Sequence, residues 1–333
     1  MRKITLLFLC LCLSLLAASY GGERFVVFGD SLSDIGNSFA ATGGAFPPGP
    51  LAPPGPLHGL YGQTFDDTNA VFLGRFTDGQ NWVDYLPGVA DKFHVDISPL
   101  KAYLQDPNNS DDNATDFAVG GSTSGNVNVN GLVDANGMPL SFPVQIKAYL
   151  NSLNGPMSGA GDRCVIWVGA NDFGAGINPL KTVSNIKDGI AQLSGVGVKS
   201  FVVITIPAIA LTPLVKKLDS ATILAAQQFV FTANVALEVE LSRFALLHGI
   251  NIELVDINAI FIPLVYLPSR FGFTNSTDFA YDPINDKLLA PHPDNYVFWD
   301  GFHPTTKAHQ IASEFIFKAV FFGSHFHKVL SFR

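Results

Sequence analysis

The chain has 333 residues, of which 47% are hydrophobic and 14% charged, and its formal net charge is −8. That length and apolar share suffice for one large, well-cored domain, or at most two. The acidic balance is spread without a basic block, which argues against a nucleic-acid partner, since phosphate binding needs clustered Lys and Arg.

The chain opens with Arg2 and Lys3, an apolar run "ITLLFLCLCLSLLAA" and the small residues Ala17-Ala18-Ser19. This order reads as a cleaved secretory signal over residues 1–19. The run is too short for a firm membrane anchor, though an uncleaved anchor is the alternative, and no later window is expected to reach a spanning length. Residues 20–333 would then form a single domain. Cys10 and Cys12 fall inside the signal, which leaves Cys164 in "CVIWVG" as a buried thiol without a disulfide partner. An exported chain of this kind must draw its stability from its core. Sequons at Asn108, Asn113 and Asn275 fit a secreted glycoprotein.

The first strand is expected at "RFVVFG" (24–29), which breaks at Gly29 into a polar cluster of Asp30, Ser31, Ser33 and Asp34. Ser33 and Asp34 are expected to cap and support the helix that follows. The Pro- and Gly-rich stretch 43–62 precludes helix or central strand and predicts a rigid surface loop beside the site. Further strands are expected at "DFAV" (116–119), "RCVIWVG" (163–169), "SFVVITI" (200–206) and "INIELVDI" (250–257). Most are apolar throughout and lack alternation, which suits parallel strands covered on both faces.

Helical patterns alternate with these runs. One is "SNIKDGIAQLSGVG" (184–197), and a long one spans 220–249, with Ser220 as its expected cap and Gly249 as its stop. In the last helix Pro304 suits the first turn, and Ala308, Ile311, Ala312, Phe315, Ala319 and Phe322 share a face. The alternation predicts an α/β fold, a three-layer α/β/α sandwich around one mainly parallel sheet. Ligands of such sheets bind beyond the carboxyl ends of the strands.

Four polar groupings stand at those ends: Gly29-Asp30-Ser31-Leu32, Gly120-Gly121-Ser122, Gly169-Ala170-Asn171-Asp172 and Asp300-Gly301-Phe302-His303. Together they hold the parts of an acyl-transfer site. A serine attacks an ester only if a base takes its proton, and His303 is that base. The N-terminus of the following helix opposes an imidazolium, and Asp300, three residues earlier, can offset that field and fix the ring's tautomer. An oxyanion needs fixed donors, which the N–H of Ser31, the N–H of a glycine and the amide of Asn171 can supply. Asp172 is expected to hold the Asn171 turn. A metal centre is not expected: His303 and His309 lack i, i+4 spacing, and the mature chain offers no cysteine pair. His58, His94, His248 and His292 are isolated, and the tail "FFGSHFHKVLSF" reads as packed chain or a transient lipid-surface contact.

The blocks "FGDSLSD", "FAVGGSTSG", "WVGANDF" and "FWDGFHPT", in this order, resemble those of the GDSL esterase/lipase family of SGNH hydrolases. "GRFTDGQNWVDYL" (74–86) and "RFGFTNSTDFA" (270–280) resemble its longer, plant-like and secreted branch. The resemblance implies a flavodoxin-like sandwich and a cofactor-free serine hydrolase of lipid or other acyl esters. It further implies Ser31 as nucleophile, Asp300 and His303 as its partners, and Gly121 and Asn171 as oxyanion donors beside Ser31. Gly120 remains the alternative to Gly121. Ser122 and Thr123 depart from the small apolar residues usual in that block. The same triad would serve an acyltransferase or a polysaccharide deacetylase, and a non-catalytic binding protein on this scaffold is the reading from another class.

Overall fold

Five unbroken apolar runs give five neighbouring strands. The computed structural model describes residues 24–47, 61–64, 70–105 and 115–323. The signal-like segment 1–19 with Cys10 and Cys12, the sequons at Asn108 and Asn113, His58, most of the Pro- and Gly-rich stretch and the tail beyond 323 lie outside them. The central sheet contains β1 (Arg24–Gly29), β2 (Lys101–Ala102), β3 (Thr115–Asp116), β4 (Asp162–Trp167), β5 (Ser200–Ile204) and β6 (Asn251–Val255). Their order is β2-β3-β1-β4-β5-β6 and every pairing is parallel. β3 is shorter than the expected "DFAV" strand, yet the N–H groups of Phe117 and Val119 still donate to Val27 and Gly29 of β1.

The strands lack alternation because both faces are covered. Phe25 and Val27 of β1, with Val165 and Trp167 of β4, meet α2 (Trp82–Asp91), α7 (Asn258–Tyr266) and α8 (Thr306–Phe322). Val26 and Phe28, with Cys164 and Ile166, meet α3 (Phe142–Ser152), α5 (Pro179–Gly195) and α6 (Ser220–His248). Two short helices, α1 (Asn37–Ala41) and α4 (Ala170–Gly174), follow β1 and β4. Cys164 is buried, and burial pushes its thiol well up. Beyond the sheet lie a parallel pair, β7 (Asn275–Phe279) with β10 (Tyr296–Phe298), and a small hairpin, β8 (Tyr281–Asp282) with β9 (Lys287–Leu288).

Several helix boundaries differ from expectation. Ser220 is not the cap of α6: Asp219 is, accepting from the N–H groups of Ala221 and Thr222, while Gly249 ends the helix at φ 60°. Aspartate reaches two orphan donors at once, so the cap falls one residue earlier. Pro304 lies outside the first turn of α8, because Thr305 caps it and the Asp78 carboxylate accepts from Thr306 N at 2.7 Å. α5 starts five residues before the expected run, at Pro179, with Asn178 as its cap. α6 also corrects the expectation that no later window could span a membrane, since its length and composition suffice. One face of it packs against the sheet, burying Phe229, Ala233, Leu237 and Leu241, while Phe231, Val239 and Leu246 on the rest of its surface are exposed.

The buried face of α8 is broader than the expected stripe. Ile311, Ala312, Phe315 and Phe322 are only partly buried, whereas His309, Ser313, Ile316, Phe317 and Val320 are fully so. Two polar residues on the inner face hid its centre from an apolar count.

Candidate active site

The Ser31 turn follows from the way β1 ends. The carbonyl of Asp30 accepts from the N–H groups of Ser33 and Asp34, each at 3.0 Å, and the Asp30 carboxylate accepts from Leu32 N at 3.1 Å. This tight turn lifts Ser31 to the tip, partly exposed, while its neighbours are buried. A residue the sequence reading did not single out braces it. The Gln145 amide of α3 accepts from Gly29 N at 2.9 Å and donates to Gly29 O at 2.7 Å, pairing both backbone groups of the last strand residue. The signal was a glutamine on an otherwise apolar helix face.

Asp34 does more than cap α1. Its carboxylate accepts from the N–H groups of Gly36, Asn37 and Ser38, from the Ser38 hydroxyl, and from Gly120 N at 2.9 Å. Burial raises its pKa, against those donors. Ser33 does not cap: its Oγ accepts from the Trp82 indole at 3.1 Å.

Ser31, His303 and Asp300, 272 residues apart at their extremes, come together in one line. His303 Nε2 lies 2.9 Å from Ser31 Oγ, and His303 Nδ1 lies 2.7 Å from Asp300 Oδ2. An ionised carboxylate only accepts, so Nδ1 carries the proton and Nε2 is left free to take one. Asp300 also accepts from the N–H groups of Phe302 and His303, each at 2.8 Å, and from the Tyr61 hydroxyl at 2.6 Å. Burial would raise the Asp300 pKa, but His303 and then Tyr61 hold it below the usual carboxylate value. For His303 burial pushes the pKa down and Asp300 pushes it up by more, so it sits above its ordinary value. Tyr61 escaped the sequence reading because it sits 239 residues from Asp300 within the Pro- and Gly-rich stretch.

The three residues expected to supply oxyanion donors line one cavity. Ser31 N and Gly121 N have no acceptor among the described residues, and both residues line the cavity at the site. Of the two glycines, Gly120 has its N–H occupied, donating to Asp34 and Ser38. Gly121 has φ +78°, and a Cβ there would stand 2.5 Å from Asn130 Nδ2, so glycine is required. Asn171 Nδ2 donates one hydrogen to Ser122 O at 3.0 Å, which aims the other at the cavity. The departure at Ser122 is structural: its hydroxyl donates to Leu140 O and accepts from Gln145. Asp172 bonds Ser124 and Thr182 and ties the second block to the third.

The cavity at Ser31 has a volume of about 710 Å³. Its wall is largely apolar, with Leu32, Phe46, Phe76, Trp167, Phe261 and Val297. Two titratable groups of that wall take no part in the triad. Desolvation raises the Asp30 pKa to about 7, and burial with the charge of His303 drops that of His309 to about 3. Among the described residues no group of three His, Cys, Asp or Glu side chains could hold a metal ion. His94 and His292 stand apart from the cavity, and His248 stacks on Phe244 at the end of α6. Asn275, the one sequon within the described residues, is partly exposed at the start of β7.

Fold and constellation define a class, the carboxylic-ester hydrolases. The chain belongs to the GDSL-like lipase/acylhydrolase family, whose model matches residues 25–316. It is 26% identical over 335 residues to a GDSL esterase/lipase of Arabidopsis thaliana, covering 89% of this chain and 87% of that one. It is 24% identical over 311 residues to a thermolabile hemolysin of Vibrio parahaemolyticus, where the match covers 88% of this chain but 62% of the hemolysin. A crystal structure of phospholipase A1 from Streptomyces albidoflavus aligns over 90% of this chain and all of that one, at 14% identity and a TM-score of 0.40, too loose a likeness to argue from.

Proposed function

We propose that the chain hydrolyses acyl esters with apolar acyl groups, through an acyl-enzyme on Ser31. The observation that carries this reading is the line Ser31 Oγ, His303, Asp300, at 2.9 and 2.7 Å, opening on an apolar cavity. His303 Nε2 takes the Ser31 proton as Oγ bonds the ester carbon, and Asp300 holds the imidazolium that results. The carbonyl oxygen becomes an oxyanion and draws on Ser31 N–H, Gly121 N–H and Asn171 Nδ2. When the carbon–oxygen bond to the alcohol breaks, His303 returns its proton to the leaving alcohol. Water, giving its proton to His303, then attacks the acyl-enzyme and releases the acid, and the proton passes back to Ser31.

The apolar wall favours a lipid or other long acyl ester over an acetylated polysaccharide. The experiment is hydrolysis of 4-nitrophenyl esters of rising chain length by the wild type and Ser31→Ala. The expected result is activity that rises beyond acetate and is lost in the variant. Equal release by both proteins would remove Ser31 from the reaction. The reading includes export after removal of residues 1–19, with residues 20–333 as one hydrolase domain. Amino-terminal sequencing of the protein from culture medium tests that step, and a glycosidase mass shift tests Asn275.

A further inference from the structure

The mouth of the catalytic cavity is rimmed by large apolar side chains that face solvent. Ile284 is 82% exposed, Phe302 50%, Leu218 46%, Val129 45% and Leu214 40%. Single exposed apolar residues are ordinary, but these five come from four separate segments and border one opening. The rim is fixed to the reaction centre: Leu214 N donates to Gly301 O at 3.0 Å, between Asp300 and His303. One cavity lining thus includes both these exposed apolar side chains and the buried Leu32 and Trp167.

We propose that this rim seats the enzyme on a neutral or zwitterionic lipid surface, so that an ester passes from aggregated lipid into the cavity without crossing water. The inference rests on the acyl-ester reading above. A lipid surface suits the rim because the rim and the cavity share one lining, and the occupant of the second is taken from the first. Charge selects the kind of lipid. The chain carries −8 overall. At the rim, Lys216 and Lys217 are offset by Asp219 and Asp282, and Lys217 Nζ folds over the Phe279 ring at 4.9 Å. No local positive excess is left to attract anionic headgroups, so apolar insertion must hold the contact, and it should be insensitive to salt.

The test is flotation of full-chain Ser31→Ala with phosphatidylcholine vesicles, with and without phosphatidylserine, at low and high salt. In that background Leu218→Asp and Ile284→Asp should weaken vesicle binding by about tenfold or more together, since each replaces a buried apolar contact by a charge. Phe231→Asp, on the exposed face of α6 where Phe231 is 72% exposed, is the control and should leave binding unchanged. With Ser31 intact, the two rim variants should cleave soluble 4-nitrophenyl acetate at the wild-type rate but lose activity on dispersed long-chain ester. Undiminished vesicle binding by the rim variants would overturn the proposal, as would loss of binding in Phe231→Asp or a requirement for phosphatidylserine. So would a rim-dependent dimer in sedimentation, which would make a second copy the occupant. Vesicle binding by a wild type inert toward every soluble ester would instead sink the hydrolase reading and leave the seat standing.

Discussion

Replacing Tyr61 with phenylalanine isolates one hydrogen bond at the back of the triad. The ring packs edge-on against Tyr281 and Trp299, at 5.5 and 6.1 Å, and phenylalanine keeps both contacts. Only the hydroxyl is lost, one of four donors on the Asp300 carboxylate. A hydrogen bond to a buried charge is worth about 1.5–3 kcal/mol, so stability should fall by that much at neutral pH. Asp300 has a folded pKa below its ordinary 3.8, so the stability it contributes is present above that value and lost as pH falls through the folded pKa. The gap between wild type and variant should therefore narrow in urea melts run at acid pH. Catalysis should respond through His303. With one donor fewer, the carboxylate attracts the imidazolium more strongly, and the His303 pKa rises further. The acid limb of kcat/KM should move up by about half a unit, roughly 0.7 kcal/mol, with a modest loss of kcat. An unshifted acid limb with unchanged stability would refute the argument. Inactivity as complete as that of Ser31→Ala would mean that Tyr61 takes part in the chemistry itself.

Gln145→Leu should cost about 1–3 kcal/mol in urea denaturation, because it strands the buried N–H of Gly29 and leaves the Gly29 carbonyl only Val119 N–H, and kcat should fall with the loosened Ser31 turn. Gly120→Ala places a methyl 2.2 Å from the Phe76 ring, which itself lies 5.4 Å from His303. Overpacking there should lower stability by about 1–3 kcal/mol and depress kcat more than KM, measured by melts and steady-state kinetics. His309→Met should protect against acid. The His309 pKa falls from 6.5 to about 3 on folding, so its stability contribution is present above pH 6.5 and lost on acidification towards pH 3. The wild type should lose about 1.4 kcal/mol per pH unit relative to the variant across that window. Asp30 and Asp78, raised to about 7 and about 6, act in the opposite sense in both proteins and cancel in the comparison.

The sheet was legible because both its faces are buried: unbroken runs such as 24–29 and 200–206 have no other use in a chain of this length. The segments bearing Ser31, Asn171 and His303 were legible because each places polar residues where an apolar run stops or a helix begins. What escaped was contact between distant residues. Nothing near Tyr61 points to Asp300, and Gln145 looks like a surface residue until Gly29 stands opposite it. α8 misled for a related reason: His309 and Ser313 are buried, and a count of apolar residues places the inner face too far round. The caps failed only by a residue, where two candidates stood side by side, as Asp219 does with Ser220.

Four buried residues share a physical task. Asp34 joins the Ser31 turn to Gly120, Gln145 joins Gly29 to Ser122, Asp172 joins Ser124 to α5, and Asp78 joins the 74–86 stretch to the start of α8. All four are buried, and desolvation raises the pKa of each of the three carboxylates. Buried carboxylates are poor stabilisers, since desolvation opposes most of what their hydrogen bonds return. Their worth lies in direction: each accepts several donors from two segments and fixes the angle between them. The proposed oxyanion hole of Ser31, Gly121 and Asn171 draws on three such segments, and misplacement by an ångström would forfeit much of its effect. The polar ties thus hold four loops, far apart in the chain, in the one arrangement that the proposed reaction requires.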